Sequence, residues 1–176
     1  MRRLLPFFLL IIASAQSISI EDLVKEYKDK EYKKVCNNGF KLFDSFRKNE
    51  NLVNMYAFSC LKSDYLGRVG YAILFLGKTP QSRTNRTYFS TIIAQKNILF
   101  SILMDEKRLQ GLRFPKMDYV ISKVFDLFFQ KKYKKLGPTY FFKDQDKNYE
   151  MWLDKKNRRL VIKEIDHNLT TIHRYK

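Results

Sequence analysis

The fold is decided by the stretch KEYKKVCNNGFKLFDSF, residues 30–46. Its apolar side chains recur three or four positions apart, the spacing that places them on one side of an α-helix. Lysines occupy the opposite side. The apolar side consists of Tyr32, Val35, Cys36, Gly39, Phe40, Phe43 and Phe46. The stretch therefore predicts an amphipathic helix that packs against other elements by one face.

The same spacing continues on both sides of this stretch, from Ile20 to about Leu136. Clusters of polar residues, glycine and proline interrupt it, and residues of these kinds mark helix ends. Gly137-Pro138 closes the helical part. We therefore predict a helical domain over residues 16–136. Its further helices are expected over about residues 51–62, 64–77, 84–104 and 115–132.

After Gly137-Pro138 the apolar residues alternate with polar ones, which is the period of a β-strand. The runs that show this alternation cover residues 140–144, 149–154, 159–166 and 169–175. A sheet this small needs an element that covers one face, and the helices can supply it. The sequence thus predicts a mostly α (α+β) fold. Antiparallel helical hairpins come first, and a C-terminal antiparallel β-meander of three or four strands over residues 137–176 packs on them.

An internal repeat supports the stacking of helical hairpins. When the chain is shifted against itself by about 34 residues, positions of similar size and polarity coincide, such as Val35 with Val69. Through residues 29–35 and 63–69 the chain resembles the tetratricopeptide repeat (TPR) family. The resemblance spans about residues 20–78 and implies a curved helical stack that binds protein segments. A helical bundle without repeats is the alternative.

The N-terminus has the residue order of a secretory signal peptide. Arg2 and Arg3 precede the apolar run 4–12, and small residues follow up to Ala15. About 12 apolar residues reach about 18 Å, short of a bilayer core of about 30 Å, which argues against the alternative of an uncleaved anchor. We therefore expect residues 1–15 to be removed. The remaining chain is predicted to be exported and soluble, and a periplasmic location is favoured over an extracellular one.

Positive charge is the feature that most calls for a partner. The chain has 34 Lys and Arg against 18 Asp and Glu, a formal charge of +16. Its densest cluster consists of Lys131, Lys132, Lys134 and Lys135. Since an exported protein seldom meets nucleic acid, we expect no nucleic-acid partner, and an acidic protein, an anionic polymer or an anionic lipid fits better. Surface lysine that only keeps the protein in solution is the alternative.

The two cysteines, Cys36 and Cys60, lie on helices expected to be antiparallel neighbours. An exported compartment is oxidising and permits a disulfide between them. Two free buried thiols are the alternative.

No residue pattern indicates chemistry. The two histidines, His167 and His173, lie near Glu164 and Asp166, but neighbouring strand residues do not point to one face. Nucleophile-elbow, phosphate-loop and zinc-protease motifs do not occur in the sequence. We therefore predict no catalytic, cofactor-binding or metal-binding residues. A buried pair of histidine and carboxylate would instead favour a hydrolase.

Two hypotheses of function follow. The first is an exported, non-enzymatic module that binds a peptide or a segment of another envelope protein in a groove between helices. Its expected contact residues are Tyr56, Tyr65, Tyr71 and Tyr88, although half-buried packing would also account for these tyrosines. The second is a cationic binder of an anionic envelope polymer or membrane surface through the lysine cluster 131–135.

Overall fold

The computed structural model of the chain describes residues 18–106, 109 and 111–176. The signal peptide predicted over residues 1–15 lies outside the described residues. The helices are α1 (Ile20–Lys28), α2 (Tyr32–Phe46), α3 (Glu50–Lys62), α4 (Leu66–Ala72), α5 (Pro80–Asp105) and α6 (Val120–Phe129). Within the described ranges, no helix has both the length and the apolar character needed to cross a membrane.

The predicted fold class is confirmed, because helices come first and an antiparallel sheet follows. The strands are β1 (Tyr133–Leu136), β2 (Thr139–Asp144), β3 (Lys147–Asp154), β4 (Arg159–Asp166) and β5 (Leu169–Tyr175). They pair in chain order, so that β1 and β5 form the two edges of the sheet. In the described part of the chain the sheet thus has five strands, where the sequence predicted three or four.

The additional strand, β1, follows the last helix directly in the sequence, and that helix was predicted to extend to residue 132. Helix α6 ends at Phe129 because Lys131 adopts a left-handed backbone (φ 59°) and the next amide closes a Schellman cap at 2.9 Å. Glycine usually occupies this position, so a lysine there gives no signal in the sequence. The sheet therefore begins at Tyr133, and Gly137-Pro138 forms its first turn instead of the boundary between helices and sheet.

Two other predicted helices differ in extent. The helix predicted from residue 84 begins at Pro80, since the Thr79 hydroxyl accepts the Ser82 amide at 3.1 Å and proline suits the first helical position. The helix predicted over residues 64–77 is shorter. It corresponds to α4, which ends at Ala72, and a 3-10 turn over Ile73–Phe75 follows.

Helices α1 to α4 pack in succession, each against the next. The approach of α2 to α3 requires Gly39, because a β-carbon at that residue would lie 2.7 Å from the Tyr56 ring. Cys36 and Cys60 form a disulfide between the same two helices, which decides between the bonded and free thiols that the sequence left open. The helical hairpin α2–α3 is thus joined by both covalent and close-packed contacts.

The connection between α4 and α5 is held by a buried carboxylate. Glu50, at the start of α3, is 7% exposed and accepts the backbone amides of Gly77, Lys78 and Thr79 at 2.6, 2.7 and 3.0 Å. Burial raises the pKa of the Glu50 carboxyl, but the amide donors outweigh it and lower that pKa to about 2. Glu50 is therefore a structural residue and stays ionised at neutral pH.

One face of the sheet packs on the helices, with α5 against β3 and β4. Alternate strand residues point to this inner face and join the helical core. Those in the core are Phe142, Tyr149, Met151, Leu160, Ile162 and Tyr175. By the register of the strands, Arg159, Ile172 and Arg174 lie on the opposite, outer face.

Candidate functional site

The four tyrosines predicted as partner contacts do not share one surface. Tyr56 is 0% exposed and its ring lies 5.2 Å from the Phe43 ring and 6.0 Å from the Phe46 ring, so its prediction as a contact residue is wrong. Tyr71 is 40% exposed and also packs on Phe43, at 5.0 Å. Packing, which the sequence left open as the alternative for these tyrosines, accounts for Tyr56 and in part for Tyr71.

The other two tyrosines lie apart from each other. Tyr88, on α5, is half-buried and donates its hydroxyl to the Asp118 carbonyl at 3.1 Å. Tyr65 precedes α4 and lines a groove on the surface. Of the four, Tyr65 therefore leads to the candidate site.

The predicted lysine cluster is divided by the fold. Lys131 and Lys132 lie in the turn after α6, whereas Lys134 and Lys135 are neighbours on β1 and point to opposite faces. All four side chains are exposed, and the Lys135 amine lies 5.1 Å from the centre of the Tyr140 ring. Helix α6 ends before these lysines begin, so they lie in a turn and on a strand, and their role in anion binding stays a prediction.

A different set of cations converges on a groove of about 590 Å³. One wall is formed by residues 63–68, which comprise the turn after α3 and the first residues of α4, and the other by the outer side of β4 and β5. The basic side chains that line it are Lys33, Arg68, Arg159, Arg174 and Lys176. In the described part of the chain, no carboxylate lies within 4.0 Å of these five groups. We call this feature the basic groove.

A second, shallower groove of about 530 Å³ continues the basic groove toward α2. The two share Lys33, Ser63 and Tyr65. Further charged residues line the second groove: Lys30, Lys62, and the pair of Lys34 and Glu31, whose charged atoms lie 2.7 Å apart. Lys30, Lys33 and Lys62 therefore extend the positive charge from the basic groove toward the start of α2.

The alternation of strand residues places the cations of the sheet. Ile172, Arg174 and Lys176 are two positions apart, so their side chains lie on the same face. Because Leu160 pairs with Tyr175, Arg159 lies beside the end of β5. This side of the sheet thus contributes one apolar side chain, Ile172, and three cationic ones to the groove.

Arg68 is fixed in place by its neighbours. Its guanidinium donates to the Cys36 carbonyl at 3.0 Å and to the Asn37 side chain at 2.8 Å. It also lies 4.7 Å from the ring centres of both Phe40 and Tyr65, a cation–π arrangement. Both hydrogen bonds use one nitrogen of the guanidinium, which has five N–H donors. Arg68 is therefore pre-organised and retains donors for a ligand.

Of the described residues that line the basic groove, only Asp64 is acidic, and its carboxylate has partners within the protein. Nδ1 of His173 lies 3.0 Å from the Asp64 carboxylate, and the Tyr119 hydroxyl donates to the same carboxylate at 3.3 Å. Burial lowers the pKa of His173, but the Asp64 hydrogen bond and the charges of Asp64 and Glu164 outweigh it and raise that pKa. The Asp64 carboxylate is thus engaged within the protein, and five basic side chains face this one acid in the groove.

The His173–Asp64 pair is the histidine and carboxylate that would favour a hydrolase, and the fold brings these residues together across a sequence separation of 109. Its geometry does not match a nucleophile and its base. In the described residues no hydroxyl or thiol contacts the second ring nitrogen, which lies 3.7 Å from the Glu164 carboxylate. The ring also stacks on Tyr175, with centres 5.9 Å apart. The pair instead joins the α3–α4 turn to the sheet.

Sequence reasoning placed His173 on a strand but missed its partner. Asp64 has a left-handed backbone (φ 64°) and occupies the Schellman position at the end of α3, where the Tyr65 amide donates to the Cys60 carbonyl at 2.9 Å. A short polar Ser63-Asp64 pair at a helix end was the available signal. The described residues contain no group of three or more His, Cys, Asp or Glu side chains that could hold a metal ion.

Comparison with known proteins gives no relatives: no family model matches the chain, and neither a curated protein nor a solved structure resembles it significantly. The site is therefore interpreted from its own geometry.

Proposed function

We propose that the protein is an exported, non-enzymatic interaction module that holds an extended acidic segment of a partner protein in the basic groove. One observation carries the proposal. Five basic side chains without carboxylate partners among the described residues converge on a concave surface, where the single described acid, Asp64, contacts His173 at 3.0 Å. Such an arrangement attracts carboxylates and repels cations.

The shape and the lining favour a protein segment over a flat anionic surface. The groove is concave, and Tyr65 and Ile172 provide aromatic and apolar contacts between the cations. An extended peptide offers both carboxylates and apolar side chains, so it can use both kinds of contact. The cationic-binder alternative, with an anionic polymer or membrane surface as the partner, would rely on exposed charges such as Lys131 and Lys132.

The strength of binding should depend on salt. The groove cations are partly or fully exposed, and charges of this kind are screened over about 8 Å at physiological ionic strength. We therefore expect acidic peptides to bind rapidly at low salt and to dissociate as salt is added.

A matched pair of variants tests the proposal. The probe is a fluorescent peptide of about ten residues, the upper length of a common strand, in which glutamate alternates with threonine. The groove variant combines Arg159→Glu and Arg174→Glu, and the control combines Lys132→Glu and Lys134→Glu with the same change of charge. Each lost ion pair weakens binding by up to about 1 kcal/mol, so we expect the groove variant to lose about thirtyfold in affinity. The control should bind like the wild type.

Fluorescence anisotropy measures the affinities, and thermal melts establish that both variants fold. Equal losses in the two variants would show that net charge alone attracts the peptide. Absence of peptide binding by the wild type would contradict the proposal. If the wild type then also bound anionic vesicles in a salt-dependent way, the membrane-surface alternative would gain support.

A further inference from the structure

The two edges of the sheet differ in how well they are protected from pairing with another strand. β1 has four residues, including the exposed Lys134 and Lys135, and short, lysine-rich edges resist pairing. β5 has seven residues, and its first four, residues 169–172, are exposed and uncharged. An edge of this kind is a template for an added strand.

The register of β5 shows which of its backbone groups are free. β4 and β5 are joined by the two-residue turn His167-Asn168, so the flanking pair Asp166–Leu169 exchanges backbone hydrogen bonds. Alternate residues of β5 then direct their amide and carbonyl away from β4. These residues are Thr170, Ile172 and Arg174. No other backbone hydrogen bond in the described residues uses them.

The free backbone edge and the basic groove coincide. Ile172 and Arg174 line the groove with their side chains and direct their amides and carbonyls to the open edge. A strand that pairs with β5 would therefore run along the groove. Its alternate side chains would lie on the outer face of the sheet, beside Arg174 and Arg159.

Charge decides between the two kinds of strand that could occupy the edge. A second copy of the exported chain, without Arg2 and Arg3, would bring another formal charge of +14, two less than the +16 of the full sequence, and its β5 edge would carry the same Arg174 and Lys176. Like charges brought together in this way oppose association. An acidic segment would instead place carboxylates beside these cations.

We propose that the acidic partner segment binds by strand addition: it pairs with Thr170, Ile172 and Arg174 as a sixth strand of the sheet, with alternate acidic side chains in the basic groove. This inference rests on the proposed function and specifies its mode of recognition. Backbone hydrogen bonds would supply affinity, and the groove cations would select acidic sequences.

The experiment uses the full exported chain and the glutamate–threonine peptide. Two further peptides carry backbone N-methyl groups, one at every glutamate and the other at every threonine. Because only alternate amides of an added strand face β5, we expect one methylated peptide to lose at least about tenfold in affinity and the other to bind like the parent. These peptides leave the protein unchanged.

A pair of protein variants provides the matching test. Ile172→Pro removes an amide that faces the open edge, where proline is tolerated, and Ile172→Ala keeps that amide. We expect Ile172→Pro to bind the parent peptide about tenfold more weakly than Ile172→Ala. Equal affinities of these variants, or of the two methylated peptides, would overturn strand addition. If the variant with Arg159→Glu and Arg174→Glu still lost binding, the proposed function would stand, but strand addition would not be its mode of recognition. Failure of the parent peptide to bind the wild type would overturn both.

Discussion

The two edges of the sheet carry positive charge in different surroundings. At β1, Lys134 and Lys135 are exposed on opposite faces of a four-residue strand. At β5, Arg174 lies in a concave groove, opposite the α3–α4 turn that His173 contacts through Asp64. This difference shows that the densest run of lysines in the sequence does not coincide with the concave basic surface of the fold. The packing that surrounds a cation determines whether it can hold a ligand.

The contrast predicts that the β5 side contributes far more to stability. Tyr175 is 0% exposed, and its ring lies 6.3 Å from the Tyr119 ring. Leu136, at the end of β1, is 68% exposed. We expect Tyr175→Ala to lower the free energy of unfolding by about 3 kcal/mol or more, since truncation of a buried aromatic leaves a cavity. Leu136→Ala should change it by less than about 0.5 kcal/mol.

Urea unfolding measures both changes. Comparable losses in the two variants would show that the sheet is anchored equally at its two edges, and the contrast would then be wrong.

A smaller effect is expected from pH. The raised pKa of His173 means that the folded protein holds a proton which the unfolded chain releases near pH 6.5. The charged groups that face the ring are Asp64 from the helices and Glu164 from β4, and Glu164 also contacts Lys147 at 2.9 Å. The stabilisation should be fully present below about pH 6.5 and lost as pH rises through the raised pKa.

The variant His173→Gln tests this dependence, and His167→Gln is the matched control because His167 is exposed in the turn before β5. We expect His173→Gln to remove about 1 to 2 kcal/mol at pH 6 and to flatten the pH profile of unfolding above it. His167→Gln should leave the profile unchanged. A profile that is the same in all three proteins would show that the His173–Asp64 contact does not stabilise the fold.

The sequence predicted the helices and strands better than the tertiary contacts between them. Periodicity gave the helices α2 to α6, the meander and the placement of Cys36 and Cys60 on neighbouring helices, because these depend on local spacing, but it did not single out α1. It missed β1, since Lys131 occupies a position where glycine is the usual signal.

The basic groove could not be predicted, because its parts come from distant segments. Lys33, Arg68 and Arg174 belong to α2, α4 and β5, and tertiary packing alone brings them together. The exposure of the predicted contact tyrosines also depends on tertiary packing. Tyr56 lies within α3 and is completely buried, whereas Tyr65 follows the polar end of α3 and lines the groove.

Amide hydrogen exchange, followed by NMR with and without the glutamate–threonine peptide, tests most directly that the partner binds at β5. We expect the amides of Thr170, Ile172 and Arg174 to exchange more slowly when the peptide is bound, because each would then donate to the added strand. The amides of Tyr133 and Lys135, on β1, should keep their rates. Protection at β1, or unchanged rates at both edges despite saturating peptide, would contradict the account.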